Sequence, residues 1–342
     1  KKMKINYGLI AIGLGLVAAS CEPEATPNNQ EPVIPNAYII CEGNFGTGNG
    51  DISILDTETK AVVTEKFESV NGNPVGDVVQ DIHFAQGNAY IVANGSNRIE
   101  VVNEETFASV TTIDGLALPR YITSKNNRAY VSEWVGYNED WSIKDTGRIS
   151  IIDLATKAIV GSYDVSAGPN RLLIQNNNLI VLNEDTNLVS VIDLNTEQRA
   201  DYVLDFSPNS IQEDVNGNLW ILCSGKSSWA TGGPTNAKLF KAIGGDFSNL
   251  ESYAFNSQGA SNLLLSPDGN QLYFKNQGLV KTSTSNVDVN AAVWVEGNFY
   301  GIAVDPSNGM VYGLDAKDFS SSGDAIAISS NGDKDTIQSV GL

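Results

Sequence analysis

Histidine is almost missing: this chain of 342 residues has one, His83. A metal centre built on several imidazoles is thereby excluded, and a Ser-His-Asp relay would rest on that single side chain. No C-x-x-C, G-x-S-x-G or phosphate-loop motif is present. The stretch Gly43 to Gly50 (GNFGTGNG) has Gly-x-Gly spacing at Gly46 and Gly48, but it opens no helix. Positive charge is short as well, with 21 Lys and Arg against 40 Asp and Glu. A phosphate backbone needs a basic footprint that this chain lacks, so nucleic acid is excluded as a partner. Long apolar runs are absent: Tyr7 to Val17 is too short to span a bilayer as a permanent helix. No helical period runs through the remainder of the chain.

What is present is a repeat. Residues 89 to 127 hold four short apolar runs separated by turn residues, each of strand length. The second run recurs as AYII at Ala37, AYIV at Ala89, AYVS at Ala129, LIVL at Leu179, LWIL at Leu219, LYFK at Leu272 and VYGL at Val311, which makes seven copies. Spacings of 39 to 53 residues with four strands per copy predict an all-β chain, a seven-bladed β-propeller of four-stranded antiparallel blades. Gly/Asn turns such as Gly87-Asn88 and Asn176-Asn177 precede the second strands. Asx-x-x-Thr turns begin at Asp56, Asn103, Asp153 and Asp193 after the third strands, where the Asx side chain caps its own turn. These carboxylates are read as hairpin punctuation rather than a catalytic array. Inner strands start after Pro119, Pro169 and Pro208, with Ala260 and Phe299 at the matching positions. Six inner strands are counted for seven blades, so either the last inner strand lies in a few residues following Leu342, the favoured expectation, or the closing blade has three strands and an exposed edge.

Three segments are expected: 1–21 as a lipoprotein signal peptide ending at Cys21, 22–36 as a flexible tether, and 37–342 as the propeller. Lys1, Lys2 and Lys4, the apolar run and then Ala18-Ala19-Ser20-Cys21 read as an export signal. Small residues directly before Cys21 resemble the lipobox of bacterial lipoproteins, although Ala18 stands where Leu is usual. Residues 22 to 36 are rich in Pro, Asn and Glu, the composition of a tether. After removal of residues 1–21 the balance is 18 basic against 40 acidic residues, a net charge of −22. Cys41 and Cys223 fall at the same position of the first and fifth copies. Those blades are not neighbours, so the two should lie beyond the roughly 7 Å Cα limit of a disulfide and remain free thiols.

Function is expected on one face. Loops from second to third strand are long in the odd copies, Cys41 to Asp51, Glu133 to Gly147, Cys223 to Lys238 and Asp315 to Asp324, and short in the even ones. They carry Phe45, Trp134, Tyr137, Trp141, Trp229 and Phe319, aromatics in Gly/Ser/Asn-rich surroundings where exposure for binding is expected. Residues at the heads of the inner strands should ring the channel mouth: Gln80 and Asp81, Arg120 and Tyr121, Asn170 and Arg171, Asn209, Asn262, Phe299 and Tyr300. Mixed amide, guanidinium and phenol groups read a large polar ligand through many hydrogen bonds. Asp81 is expected to pair with Arg120 or Arg171, and His83 to be structural. No catalytic residue, metal or cofactor is assigned.

The text V-x-V-I-D with its Thr turn (Val189 to Asp193, Thr196) and G-P-N before an inner strand (Gly168 to Asn170) resembles the YncE-like seven-bladed propellers, over nearly all of residues 36 to 342. With the lipobox-like N-terminus and Glu22 and Glu24 behind Cys21, the chain is similar to Bacteroidetes surface lipoproteins that cap TonB-dependent transporters, including the corrinoid-binding propellers of cobalamin uptake. The resemblance implies a non-enzymatic, lipid-anchored protein at the surface of the outer membrane, capturing a corrinoid on the loop-bearing face and passing it to a transporter barrel. Leu239 to Ile243 and Leu279 to Ser283 depart from the pattern by lacking the V-I-D ending. Two alternatives stand beside this: a propeller that grips proteins or glycans, and an extracellular carbohydrate hydrolase or lyase with paired loop carboxylates.

Overall fold

The computed structural model describes residues 36–228 and 232–341. Cys21, the tether up to residue 35 and Trp229 lie outside the described residues. The chain forms seven antiparallel sheets, each running in chain order from the channel outward. The second blade shows the full unit: Val79–Ala85, Asn88–Ala93, Arg98–Asn103 and Ser109–Ile113. Inner strands Pro119–Lys125, Pro169–Gln175, Pro208–Glu213, Ser261–Leu265 and Gly301–Val304 begin blades three to seven. Inner strands of successive blades touch one another around the ring, and the first blade meets both the second and the seventh.

Side-chain alternation explains why the second strands read as unbroken apolar text. In Asn88–Ala93, Ala89, Ile91 and Ala93 face the first blade, and Tyr90 and Val92 face the third. Both faces of the strand are buried between neighbours, so neither parity can be polar. The core is accordingly divided into seven clusters, one at each interface between blades. Complete burial of a Leu or Ile in such a cluster contributes about 1.5–3 kcal/mol, and the ring depends on all seven.

The turns form as their residues require. Asp56, Asn103, Asp153 and Asp193 each accept the backbone N–H groups two and three residues on, at 2.7–3.2 Å. Those bonds favour the ionised form and hold the three carboxyls below the usual Asp range. One helix, Lys66–Asn71, was not anticipated by the repeat. Its N-terminus is capped from the neighbouring strand, the buried Asp51 carboxylate accepting from Phe67 and Glu68 N–H at 2.8 and 2.9 Å. Phe67 closes the same cluster that receives Ile52 and Val75.

Among the described residues six blades have four strands, while the first has three: Asn36–Cys41, Asp51–Asp56 and Val62–Val63. The channel-side edge of Asn36–Cys41 pairs with no strand among the described residues. Cys41 and Cys223 are buried free thiols; burial raises the first and pushes the second up to about 12. An open edge leaves alternate amides without a ladder partner. In the chain 36–341, channel-facing amides of Asn36–Cys41 should therefore exchange with deuterium roughly tenfold or more faster than those of Asn88–Ala93. Equal protection in hydrogen-exchange NMR would show that the edge is covered.

Candidate functional site

Five of the six inner strands break register at their channel-mouth end. The shifts fall between Val79 and Asp81, Pro119 and Ile122, Pro169 and Leu172, Pro208 and Ser210, and Ser261 and Leu264. A bulge releases one or two residues from the ladder and turns their side chains out of the alternation. Those released are Gln80, Arg120 and Tyr121, Asn170 and Arg171, Asn209, and Asn262 with Leu263. Of the residues expected from the sequence to ring the mouth, all but Asp81, Phe299 and Tyr300 are bulge residues. Asn262 takes a left-handed φ of 55°, which Asn tolerates better than most side chains.

Bulged side chains form one connected group. Arg120 donates from Nε to Asn170 Oδ1 (3.2 Å) and from Nη1 to Gln80 Oε1 (2.5 Å), and Gln80 donates to the Tyr121 hydroxyl (3.2 Å). The Arg120 guanidinium also lies 4.2 Å from the centroid of a half-buried Trp134 ring, and Arg171 lies 3.8 Å from that of Tyr121. Arg120, Tyr121, Asn170 and Arg171, together with Asn209, Ser261 and Asn262, line a basin of about 430 Å³ over the channel. Its size suits a substantial organic ligand.

Glu184 lines the basin, buried Asp81 lies within electrostatic reach of Arg171, and the expected Asp81–Arg pair is replaced by a different bond. Asp81 accepts from the Ile122 N–H of the next blade (3.0 Å), as Ser210 Oγ accepts from Leu263 N–H (3.1 Å). The inner-strand amide freed by the bulge is satisfied by the preceding blade. Burial raises Asp81 to about 6, against the pull of Arg171 and two backbone N–H groups. Glu184 accepts from Asn170 Nδ2, and burial raises it despite Arg120 and Arg171. Sequence reading missed Glu184; its place directly after the strand Asn178–Asn183 was the available signal. His83 bonds Ser124 Oγ across to the third blade (2.8 Å), with its pKa lowered by burial.

The other expected aromatics do not converge on the basin lining. Tyr137 and Trp141 sit together on their loop, ring centroids 6.3 Å apart, with Trp141 82 % exposed. Phe45, 88 % exposed, belongs with Tyr300 and Phe319 to a second cavity of about 330 Å³ where the first and seventh blades meet. The seventh inner strand has no bulge, and Tyr300 turns to that seam instead, donating to Glu42 Oε1 at 2.8 Å. Phe299 is buried in the cluster between blades six and seven rather than at the mouth. Among the described residues no group of three or more His, Cys, Asp or Glu is placed to hold a metal.

A ring of seven blades with a polar, arginine-bearing basin at its axis defines the class as a β-propeller whose irregular residues gather on one face. The chain belongs to the family described as a domain of unknown function, DUF5074, whose model matches residues 36–328. Comparison with curated proteins finds no match. Among solved structures it is similar to a quinonprotein alcohol dehydrogenase-like protein of Bacteroides thetaiotaomicron, with 18 % identity over 86 % of this chain and 75 % of that one, TM-score 0.62. It is also similar to the extracellular domain of a B. thetaiotaomicron protein assigned to a one component system. There the identity is 13 % over 81 % of this chain, which spans 39 % of the other, with a TM-score of 0.59. Streptogramin B lyase is 11 % identical over 75 % of this chain and 82 % of that one, TM-score 0.53. At these identities the shared property is the fold.

Because its pKa is raised, Asp81 adds stability that is fully present below its ordinary value of 3.8 and lost as pH rises through about 6. Asp81→Asn keeps an acceptor for Ile122 N–H but does not titrate. From about pH 4 to about pH 7, the Tm of the variant relative to the parent should rise. Parallel Tm profiles would show that Asp81 ionises without cost.

Proposed function

We propose that this chain is a non-enzymatic capture protein, anchored through a lipid on Cys21 at the cell surface. It takes up a nutrient in the channel-mouth basin and passes it to a TonB-dependent outer-membrane transporter. The observation that carries the reading is the convergence of bulge residues from four blades, the third to the sixth, on one basin. Amides, two guanidiniums and a phenol held on rigid strands form a preorganised polar site, and a preorganised site saves the ligand the cost of ordering it. The Bacteroides structural neighbours, one of them an extracellular domain, support a surface location. A corrinoid such as cobalamin is the first ligand to test, because the N-terminal text and the blade text together resemble corrinoid-binding lipoproteins.

A second reading, a propeller that grips proteins or glycans, is favoured by one observation. Phe45, Phe319 and Trp141 stand 88, 63 and 82 % exposed on long loops, more apolar surface than a small-ligand basin uses.

Calorimetric titration of the chain from residue 22 onward with cyanocobalamin separates the two. Under the capture reading, binding saturates and weakens at least about tenfold in Trp134→Ala, which removes the ring beneath Arg120, an interaction on the order of 1–2 kcal/mol. A flat trace from folded protein removes corrinoids as the ligand. Binding unchanged by Trp134→Ala but lost in Trp141→Ala would move the site from the basin to the loop rim.

A further inference from the structure

Arginine is concentrated in one part of this chain and unevenly neutralised there. All six arginines lie between residues 98 and 199. Arg98, Arg148 and Arg199 each form an ion pair, at 2.7, 2.6 and 2.5 Å, with Glu100, Glu133 and Asp201. Arg128 sits exposed at the Lys125–Arg128 hairpin away from the mouth. Arg120 and Arg171 face the basin, and neither has a carboxylate within ion-pair distance among the described residues.

Their situation is not a shortage of acid. Acidic residues outnumber basic ones 40 to 21, Glu184 lines the same basin, and Asp81 lies within electrostatic reach of Arg171. Both carboxylates are committed elsewhere, Asp81 to Ile122 N–H and Glu184 to Asn170 Nδ2. Arg120 is held by neutral amides, Asn170 and Gln80, and by the Trp134 face, contacts that fix its position without cancelling its charge. Arg171 makes no hydrogen bond among the described residues. Its guanidinium rests on the Tyr121 ring at 3.8 Å, which leaves the in-plane N–H donors free. The Arg120 guanidinium also lies 5.7 Å from the Tyr121 centroid, and two cations beside one tyrosine repel each other, a repulsion relieved by an anion between or above them.

We propose that Arg171 and Arg120 form the docking point for an anionic group, carboxylate or phosphate, on the captured ligand. The inference rests on the reading of the basin as a ligand site, and names the ligand class: an organic anion rather than a neutral sugar or a cation. Arg171 supplies the free donors, and Arg120 supplies charge and orientation. The strongly acidic surface elsewhere turns non-specific anions away, so the two arginines select among anions by geometry as well as charge.

The test uses inorganic phosphate as the probe, at low ionic strength, followed through the arginine Nε–H resonances of the chain from residue 22 onward. The resonances of Arg171 and Arg120 should shift and saturate together, while those of Arg128 and Arg199 stay in place. Arg171→Gln should weaken the affinity at least about tenfold, as expected for loss of a charge-assisted hydrogen bond, and Arg171→Lys by less. Shifts that do not saturate, shifts equal at Arg128, or an affinity unchanged in Arg171→Gln would each overturn the proposal. Its failure is separable from that of the capture reading. Cyanocobalamin bound equally well by Arg171→Gln and the parent overturns the anion site alone, and phosphate held at Arg171 by a protein that ignores cobalamin supports the anion site while removing the corrinoid.

Discussion

Every feature of the channel mouth depends on how the inner strands end. A regular ladder would carry each inner strand straight to the face and leave its side chains alternating between the two neighbouring blades. The bulges interrupt that alternation and leave the first paired amide of the next strand without a ladder acceptor. Asp81 and Ser210 provide acceptors for the amides of Ile122 and Leu263. One contact joins adjacent blades and frees the neighbouring side chains to point into the channel. Asn209 shows the same economy, donating to Ser224 Oγ and to the Ala260 carbonyl of the next blade.

Architecture was legible in the sequence because a blade is a local object. Strand lengths, the Gly/Asn hairpins and the Asx turns are each decided within a few residues, and burial on both faces left unbroken apolar runs such as AYIVA at Ala89 to Ala93. The heads of the inner strands could be placed for the same reason, since Pro119, Pro169 and Pro208 mark where each begins.

Contacts between blades were less legible, because they join residues about forty positions apart with no local pattern. The pairing of Asp81 with a backbone amide, the His83–Ser124 bond and the stacking of Arg120 on Trp134 are of this kind. Phe299 was misplaced because the seventh inner strand lacks the bulge its counterparts have. Without the bulge, the position equivalent to a mouth residue turns inward, under Gly313. The helix Lys66–Asn71 escaped notice because its cap comes from Asp51, fifteen or more positions earlier in the chain.

The alternation of long and short loops has a consequence set by number alone. Seven is odd, so a two-step pattern cannot return to its starting phase around the ring, and long loops must adjoin somewhere. They do so where the seventh blade meets the first, and there Phe45 and Phe319 share a cavity with Tyr300. At every other interface a long loop borders a short one. This parity defect gives a nearly rotationally uniform ring a single distinguished direction, so that a partner approaching the face along the axis meets a surface with a fixed compass bearing.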